Sequence, residues 1–273
     1  MKLLTKLSKI IPECYLKHKF RCWYYNLTND EIKMRYSCNH YITTYEGYKI
    51  KTHDHIFREL KYIVPFYLKK YKIKENDIII DAGAYIGGFA LLAAMMAPKG
   101  KIVAFEPNPA AADKLIENIE LNNIKNIIVR RKGLWNEKTT LKFHQDLSPT
   151  DSSSASSFIL EDNPYITDKD ENNTSVEVDT LDNELKKLGI SKVDFIKMDI
   201  EGSEINAIKG AEETLKNHDV NLAIASYHHF EGKPTHIQLE KELKRFGYDA
   251  QTIDSIHTTT YAKNYTMVGD KNE

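Results

Sequence analysis

The stretch IIIDAGAYIGGF, Ile78–Phe89, contains the pattern that decides the fold. Three isoleucines form a short apolar strand that ends in Asp81, glycines follow, and a helix-like apolar run begins at Phe89. This order is typical of the first unit of an open α/β sheet, in which ligands bind beyond the carboxyl ends of the strands. Because Gly83 has no Cβ, it lets the backbone and a ligand approach closely. The stretch therefore predicts a site for a nucleotide-like cofactor.

The spacing of the loop glycines argues against a dinucleotide. A nicotinamide-binding loop follows G-x-G-x-x-G and cradles a pyrophosphate at the helix start. Here the glycines are Gly83, Gly87 and Gly88, and the bulky Tyr85 lies between them. The loop therefore does not match the geometry of a phosphate-binding site. S-adenosylmethionine has no phosphate and requires only close backbone approach and an acid near its polar groups.

A second acid follows the next strand-like run, Lys101–Phe105. It is Glu106, in the segment AFEPNP. A carboxylate at this point can accept hydrogen bonds from both hydroxyls of a ribose. The alternative is a solvated acid at a strand end, but the order strand, glycine loop, helix, strand, acid favours ribose binding.

The segment IKMDIEGSE, Ile196–Glu204, supplies the candidate catalytic acids. Asp199 and Glu201 close a strand, so Asp199 is expected to face the cofactor crevice. Ser203 is predicted to cap the following helix, and Glu204 lies in its first turn, where a negative charge is favoured. Glu204 and Glu201 are also explained as ordinary acids at a helix start.

Strand-like and helix-like runs alternate from Asp77 onward, which predicts βαβ units and a parallel sheet. The Ser-, Asp- and Asn-rich residues 145–173 interrupt the alternation as a long loop, which is either a lid or disordered. Helices are predicted over Ala110–Asn122, Thr180–Leu188, Ser203–Lys216 and Thr235–Phe246. Beyond the first two strands, the predicted strands are Ile127–Arg131, Val176–Val178, Val193–Met198, Leu222–Ser226, Tyr248–Ile253 and Tyr265–Val268.

The charge is divided unevenly along the chain. Residues 1–75 contain 16 Lys and Arg against 7 Asp and Glu, whereas residues 76–273 contain 22 against 32. We therefore predict a basic N-terminal extension (1–75) followed by a catalytic domain (76–273). The positive charge of the N-terminal extension suits an anionic sugar, a lipid headgroup or a membrane surface as its partner. A solvated basic cap is an equal alternative. In it we predict a helix over 1–36, a hairpin over Tyr41–Thr52 that turns at Glu46-Gly47, and a helix over Ile56–Tyr71 kinked at Pro65.

Composition limits the class of protein. The longest uninterrupted apolar run, Phe89–Ala97, is nine residues, about half of a membrane span, so a soluble chain is expected. The basic start lacks the features of a secretory signal, and three cysteines within the first forty residues favour a reducing, cytoplasmic location over a disulfide framework. Cys14, His18 and Cys22 would share a helix face, so a zinc site is conceivable. Buried thiols and solvated histidines explain them better.

Together these motifs resemble the FkbM-type family of class I S-adenosylmethionine-dependent methyltransferases, over about residues 77–254. The resemblance implies a Rossmann-like, doubly wound α/β sheet, here with an N-terminal helical and β-hairpin extension. The matching segments are IIIDAGAYIGGF, VAFEPNP with the following Asn118 and Asn122, VEVDTLDNEL, and FIKMDIEGSEINAIKGA, of which the last is the most specific.

The resemblance also implies roles for individual residues. It places cofactor contacts at Asp81, Gly83 and Glu106 and an active-site edge at Asp199 and Glu201. We add the neighbours Ala84, Tyr85, Gly87 and Pro107 to the expected cofactor site. Family members usually have an acid two residues before a histidine after the next strand. Here Ser226 precedes His228 at that spacing, which departs from the pattern.

The expected activity is O-methylation of a hydroxyl on a sugar, glycan, lipid or other small molecule, because family members commonly methylate such hydroxyls. Asp199 or His228 is the predicted general base. A divalent cation on Asp199 and Glu201 is slightly less favoured, since two carboxylates are only part of a metal shell. An RNA methyltransferase is disfavoured because no Asn-Pro-Pro-Tyr-like or RNA-binding signature is present. A non-catalytic binding protein is the third alternative.

Overall fold

The computed structural model describes residues 13–144, 157–158, 173–230 and 233–264. In its described part, from residue 13 onward, the N-terminal region has one helix, a three-stranded antiparallel sheet in sequential order and two short helices. These elements are α1 (Tyr15–Thr28), β1 (Ile32–Ser37), β2 (His40–Tyr45), β3 (Tyr48–Thr52), α2 (Phe57–Tyr62) and α3 (Val64–Tyr67).

Strands and helices then alternate to the end of the described chain. The strands are β4 (Ile78–Ala82), β5 (Lys101–Phe105), β6 (Ile127–Arg130), β7 (Gly133–Leu134), β8 (Thr139–His144), β9 (Ser157–Phe158), β10 (Asn173–Asp179), β11 (Phe195–Met198), β12 (Asn221–Ala225), β13 (His229–Phe230), β14 (Lys233–Pro234), β15 (Tyr248–Ile253) and β16 (Thr259–Asn264). The helices are α4 (Gly88–Met96), α5 (Pro109–Leu121), α6 (Leu181–Leu188), α7 (Glu204–Lys209), α8 (Glu212–Asn217) and α9 (Thr235–Arg245).

The main sheet has seven strands in the order β15-β16-β12-β11-β4-β5-β6. Strands β12, β11, β4, β5 and β6 pair in parallel, and β16 is antiparallel to both of its neighbours. The loops after β4, β5, β11 and β12 therefore meet at one edge of the sheet. The Rossmann-like fold expected from the sequence is confirmed.

A second sheet, with the order β7-β10-β8-β9, corrects part of the predicted alternation. The predicted strand Val176–Val178 belongs to β10, which pairs antiparallel with β8 rather than joining the main sheet. Its partner β8 was missed, because a half-exposed strand that contains lysine and histidine has a weak apolar signal. The predicted strand Tyr265–Val268 lies outside the described residues, and so does nearly all of the predicted loop 145–173.

Several predicted helix bounds were wrong. The helix predicted over 1–36 ends at Thr28, its first twelve residues lie outside the described chain, and its last part is β1. The predicted helix Ile56–Tyr71 is divided at Ile63, and Pro65 lies in the first turn of α3, where its missing N–H is tolerated. The predicted helix Ser203–Lys216 is divided at Gly210, where a Cβ would overlap the carbonyl oxygen of Trp135. That close approach requires glycine.

The N-terminal region packs against the α/β part of the chain. The side chain of Asn118 accepts a hydrogen bond from the His53 amide at 3.0 Å. Asn122 bonds both the amide and the carbonyl of Lys51, at 2.9 and 2.6 Å. Buried residues from both regions form one continuous apolar cluster. No described helix is long and apolar enough to cross a membrane. The boundary at residues 75 and 76 stays a prediction.

Candidate active site

The glycine loop lies in close contact with the loop that follows β11. Gly83 has φ +78°, and a Cβ there would overlap the carbonyl oxygen of Asp199. The amides of Gly83 and Ala84 both donate to the carbonyl of Phe105 at 3.0 Å. Gly87, with φ +97°, is the N-cap residue of α4. The loop conformation thus brings the ends of β4, β5 and β11 together.

Glu106 is held at the end of β5 by two backbone amides. One carboxylate oxygen accepts from Tyr85 N at 2.7 Å, and the other accepts from Asn108 N at 2.9 Å. Burial raises the pKa of Glu106 to about 7, although these two hydrogen bonds partly oppose the shift. Its remaining lone pairs suit the ribose contact predicted from the sequence.

Asp81 and Lys197 form a buried ion pair on the adjacent strands β4 and β11. Lys197 Nζ lies 2.9 Å from Asp81 Oδ1 and donates to the Gly83 carbonyl at 2.6 Å. Asp81 has no exposed surface. The structure therefore places Asp81, a predicted cofactor contact, against Lys197 beneath the loop.

A cavity of about 730 Å³ opens above this edge of the sheet. Its size is within the usual range of sites that bind a cofactor and a small substrate. Of the predicted site residues, Gly83, Tyr85, Glu106, Pro107, Asp199 and Glu201 line it, whereas Asp81, Ala84, Gly87 and His228 do not.

Asp199 is the centre of a polar network. Its Oδ2 accepts a hydrogen bond from Tyr67 OH at 2.7 Å, and its Oδ1 accepts one from Tyr227 OH at 3.3 Å. His257 Nε2 lies 3.9 Å from Oδ2. Burial alone would raise the pKa of Asp199, but its neighbours outweigh it and lower the pKa well below the usual range. The neighbours responsible are His257, His228, Lys197 and Tyr67.

His228 lies among three carboxylates. Its Nε2 is 3.3 Å from Glu201 Oε2 and 3.9 Å from Asp199 Oδ1, and its Nδ1 is 3.1 Å from Glu204 Oε1. Burial disfavours the imidazolium, but the negative charges of Glu204, Glu201 and Asp199 raise the pKa of His228 well above its usual range. The geometry brings together Asp199, Glu201 and His228, the three predicted catalytic residues.

Glu204 makes more contacts with the residues around His228 than an ordinary acid at the start of a helix would make. It is fully buried, and its Oε1 accepts hydrogen bonds from the amides of Ile200 and Gly202. Its Oε2 has no hydrogen-bond partner among the described residues. Ligand atoms of Asp199, Glu204 and His228 lie within 4.8 Å of one another, an arrangement that could hold a divalent cation. The predicted cap by Ser203 was wrong, since its side chain makes no capping bond.

Three groups near the cavity were not found from the sequence. Tyr67 and His257 contact Asp199 from distant parts of the chain. Glu59 of α2 is the third: its Oε1 accepts from the Phe89 amide at 3.1 Å, and burial raises its pKa to about 7. None lies in a local motif, so only an alignment or a structure could have identified them.

The remaining sequence candidates have structural explanations. Ser226, at the position where the family usually has an acid, is buried and accepts a hydrogen bond from Thr260 Oγ1 at 2.9 Å. His18 stacks on Tyr36 at 4.2 Å and is 2.6 Å from the Tyr41 hydroxyl. Cys14, Cys22 and Cys38 are free thiols.

The sheet order, the glycine loop and the acid after β5 define a class I S-adenosylmethionine-dependent methyltransferase. The family model described as the methyltransferase FkbM domain matches residues 81–250. The chain therefore belongs to the FkbM methyltransferase family.

Named relatives extend the comparison to particular substrates. The hexuronic acid methyltransferase AglP of Haloferax volcanii is 29% identical over 160 residues, which cover 57% of this chain and 57% of AglP. The 2-O-methyltransferase NoeI of Sinorhizobium fredii is 26% identical over 148 residues, which cover 52% of this chain and 60% of NoeI. Each match spans less than two thirds of the relative.

A solved structure supports the fold. The crystal structure of methyltransferase FkbM from Methylobacillus flagellatus aligns with a TM-score of 0.50 and 19% sequence identity. The alignment covers 71% of this chain and 45% of the other. At this identity the likeness concerns the fold alone.

Proposed function

We propose that this chain transfers the methyl group of S-adenosylmethionine to a hydroxyl of a sugar-type acceptor, free, in a glycan or lipid-linked. The observation that carries the proposal is the cavity that connects Gly83 and Glu106, where the cofactor is expected, to Asp199 and Glu201. The names of AglP and NoeI support a sugar as the acceptor class.

The reaction is an in-line displacement. The acceptor oxygen forms a bond to the methyl carbon as the bond from that carbon to sulfur breaks, S-adenosylhomocysteine leaves, and the hydroxyl proton passes to a base. Because the sulfonium is a good leaving group, alignment of the two substrates accounts for much of the rate. Asp199, fixed by Tyr67 and Tyr227, is placed to accept a hydrogen bond from the acceptor hydroxyl.

The pKa shifts bear on which group takes the proton. The lowered pKa of Asp199 makes it a weak base, and the raised pKa of His228 keeps it protonated. The pKa of Glu201 is raised by burial and by the charges of Asp199 and Glu204, although His228 opposes the shift. A base is most effective when its pKa is close to the working pH. We therefore assign proton acceptance to Glu201 and orientation of the hydroxyl to Asp199.

Turnover on a panel of acceptors tests the proposal. The full chain would be incubated with S-adenosylmethionine and neutral sugars, acidic sugars, hydroxylated lipids or RNA, and release of S-adenosylhomocysteine measured. We expect release with sugars and a loss of about 100-fold or more in Glu201→Gln, which removes the assigned proton acceptor, with normal activity in the exposed control Asp249→Asn. Release with RNA alone would favour the nucleic-acid alternative. Cofactor binding without turnover on any acceptor would favour a binding protein.

A divalent cation is the second candidate for activating the hydroxyl. The buried Glu204 Oε2, which has no hydrogen-bond partner in the described part of the chain, favours it. Asp199, Glu204 and His228 would hold the ion, which would supply Lewis-acid stabilisation of the alkoxide. Dialysis against EDTA separates the two candidates. Direct base catalysis predicts unchanged turnover. Loss of turnover that Mn²⁺ or Mg²⁺ restores would establish the metal-assisted route.

The N-terminal region is proposed to take part in acceptor selection. Arg21, Tyr41, Arg58 and Tyr67 of this region line the main cavity. Contact of its basic surface with an anionic membrane, and a cytoplasmic location, remain proposals from the charge pattern and the cysteines.

A further inference from the structure

We propose that Arg58, Tyr62 and Tyr227 form a subsite for a sugar that bears a carboxylate, next to Asp199. The inference rests on the proposed function and specifies the acceptor class. The structure contains a second cavity, of about 270 Å³. The residues that line this cavity are Arg58, Tyr62, Ile63, Tyr227, Ile256 and His257.

The second cavity adjoins the proposed catalytic carboxylate. Tyr227, in its wall, donates its hydroxyl hydrogen bond to Asp199 Oδ1, and His257 lies 3.9 Å from Asp199 Oδ2. Arg58 and Ile63 line both this cavity and the larger one. A ligand in the second cavity could therefore extend a hydroxyl toward Asp199.

The walls suit a sugar ring. Tyr62 and Tyr227 are large aromatic side chains that remain 49% and 43% exposed, so each has surface free for contact. The Tyr227 ring packs edge-to-face on His257, with 5.1 Å between the ring centroids. Aromatic rings with polar tips are common where a ligand presents both apolar C–H faces and hydroxyls. Arg58 and Tyr62, four residues apart on α2, lie on one face of that helix.

The charge of Arg58 points to an anionic group on that sugar. Among the described residues, no carboxylate lies within ion-pair distance of its guanidinium. Every other lysine or arginine that lines the larger cavity has a carboxylate oxygen within 4.0 Å of a side-chain nitrogen. These pairs are Arg21–Glu13, Lys114–Asp54, Lys132–Glu184 and Lys197–Asp81. Arg58 is thus the lining cation left available to the acceptor.

A carboxylate matches Arg58 better than other anions of similar size. A planar guanidinium can donate two parallel hydrogen bonds to a planar carboxylate. The positive charge of Arg58 would also compensate the negative charge of the acceptor carboxylate, which Asp199, Glu201 and Glu204 would otherwise repel. A uronic acid ring meets both requirements: a face for the tyrosines and a carboxylate for Arg58.

Binding measurements on the full chain test the subsite. Trigalacturonic acid, neutral maltotriose and glucose 6-phosphate would be titrated into protein saturated with S-adenosylhomocysteine. We expect trigalacturonic acid to bind the unmodified chain at least tenfold more tightly than maltotriose, and Arg58→Ala to remove that preference. Arg58→Lys should restore it in part. Arg35→Ala, an exposed arginine on β1 that lines neither cavity, should leave it intact.

The outcomes are separable. Equal binding of the acidic and neutral trisaccharides, or a preference that survives in Arg58→Ala, would overturn the subsite. Tighter binding of glucose 6-phosphate than of trigalacturonic acid would overturn the carboxylate assignment. S-adenosylhomocysteine binding is measured first, without sugar. Its absence in the unmodified chain would contradict the proposed function itself, whereas its presence without an acid preference would contradict only the subsite.

Discussion

The Tyr67 hydroxyl donates a 2.7 Å hydrogen bond to Asp199 Oδ2, although 132 residues separate the two in the chain. Tyr67 is fully buried at the end of α3 and also contacts His257 Nε2 at 3.2 Å. A residue outside the matched family segment therefore completes the surroundings of the proposed catalytic carboxylate. This contact makes the N-terminal region part of the site.

Tyr67→Phe should slow turnover while leaving cofactor affinity unchanged. The substitution keeps the packed ring and removes only the hydrogen bond, so we expect kcat to fall by roughly tenfold, equivalent to about 1.4 kcal/mol. Because the bond orients Asp199, whereas Glu201 is the assigned proton acceptor, the acidic limb of the pH–rate profile should keep its position. Tyr248→Phe is the matched control, since that buried hydroxyl bonds the Leu215 carbonyl away from the cavity. An unchanged kcat in Tyr67→Phe would contradict the orienting role of Asp199, and a shifted acidic limb would favour Asp199 over Glu201 as the base.

Cofactor affinity should depend on the ionisation of Glu106. As the proposed ribose contact, Glu106 would accept from the ribose hydroxyls in its ionised form, and burial raises its pKa to about 7. Lowering the pH from 8 to 6 should therefore weaken S-adenosylhomocysteine binding by about tenfold, because the ionised fraction falls by that factor. Glu106→Gln should bind weakly with little pH dependence in this range. The exposed Glu120→Gln, on α5, should match the unmodified chain. Calorimetric titration measures these affinities. If the affinity of Glu106→Gln still changed about tenfold between pH 8 and 6, ionisation of Glu106 would not be the cause.

Asp179 should stabilise the fold near neutral pH. It is buried at the end of β10 and bonds Lys187, the Asn183 side chain at 2.9 Å and the Thr180 amide at 2.8 Å. Burial raises its pKa, but these contacts outweigh burial and lower it to about 2, below the usual value of 3.8. The stabilisation is therefore present above about pH 4 and lost as the pH falls through about 2.

Asp179→Asn should accordingly lower the free energy of unfolding by about 1–3 kcal/mol at pH 7. The difference from the unmodified chain should shrink as the pH approaches 3. Urea denaturation at pH 7, 5 and 3 measures it. The exposed Asp249→Asn provides the baseline. A difference that stayed constant across this range would show that ionisation of Asp179 is not the cause.

Gly83→Ala should be more damaging than Gly189→Ala. Both glycines have positive φ, +78° and +63°, so each alanine incurs a conformational cost of about 1–2 kcal/mol. At Gly189 the new Cβ meets open space, whereas at Gly83 it overlaps the Asp199 carbonyl. We expect Gly189→Ala to lose some thermal stability only, and Gly83→Ala to lose cofactor binding as well. Equal effects on binding would refute the close approach of the two loops.

The sequence by itself determined the α/β class, the glycine loop and the strand-end positions of Glu106, Asp199 and Glu201. These features depend on local patterns: apolar runs of strand length, helical periodicity, and the residues that follow each strand. Parallel strands end at one edge of a sheet, so acids at those ends are brought together without further information. The position of His228 near these acids was predicted from the same rule, because it follows the end of β12.

The tertiary structure alone decided which of these groups meet and what surrounds them. Asp81 contacts Lys197 rather than the cavity, and Glu204 faces His228. Tyr67 and His257 contact Asp199 from segments far from it in the sequence. Strand β10 pairs outside the main sheet. Such contacts depend on how distant segments pack, which local propensity does not encode. The pKa shifts depend on the same packing, because burial and neighbouring charges arise only in the folded chain.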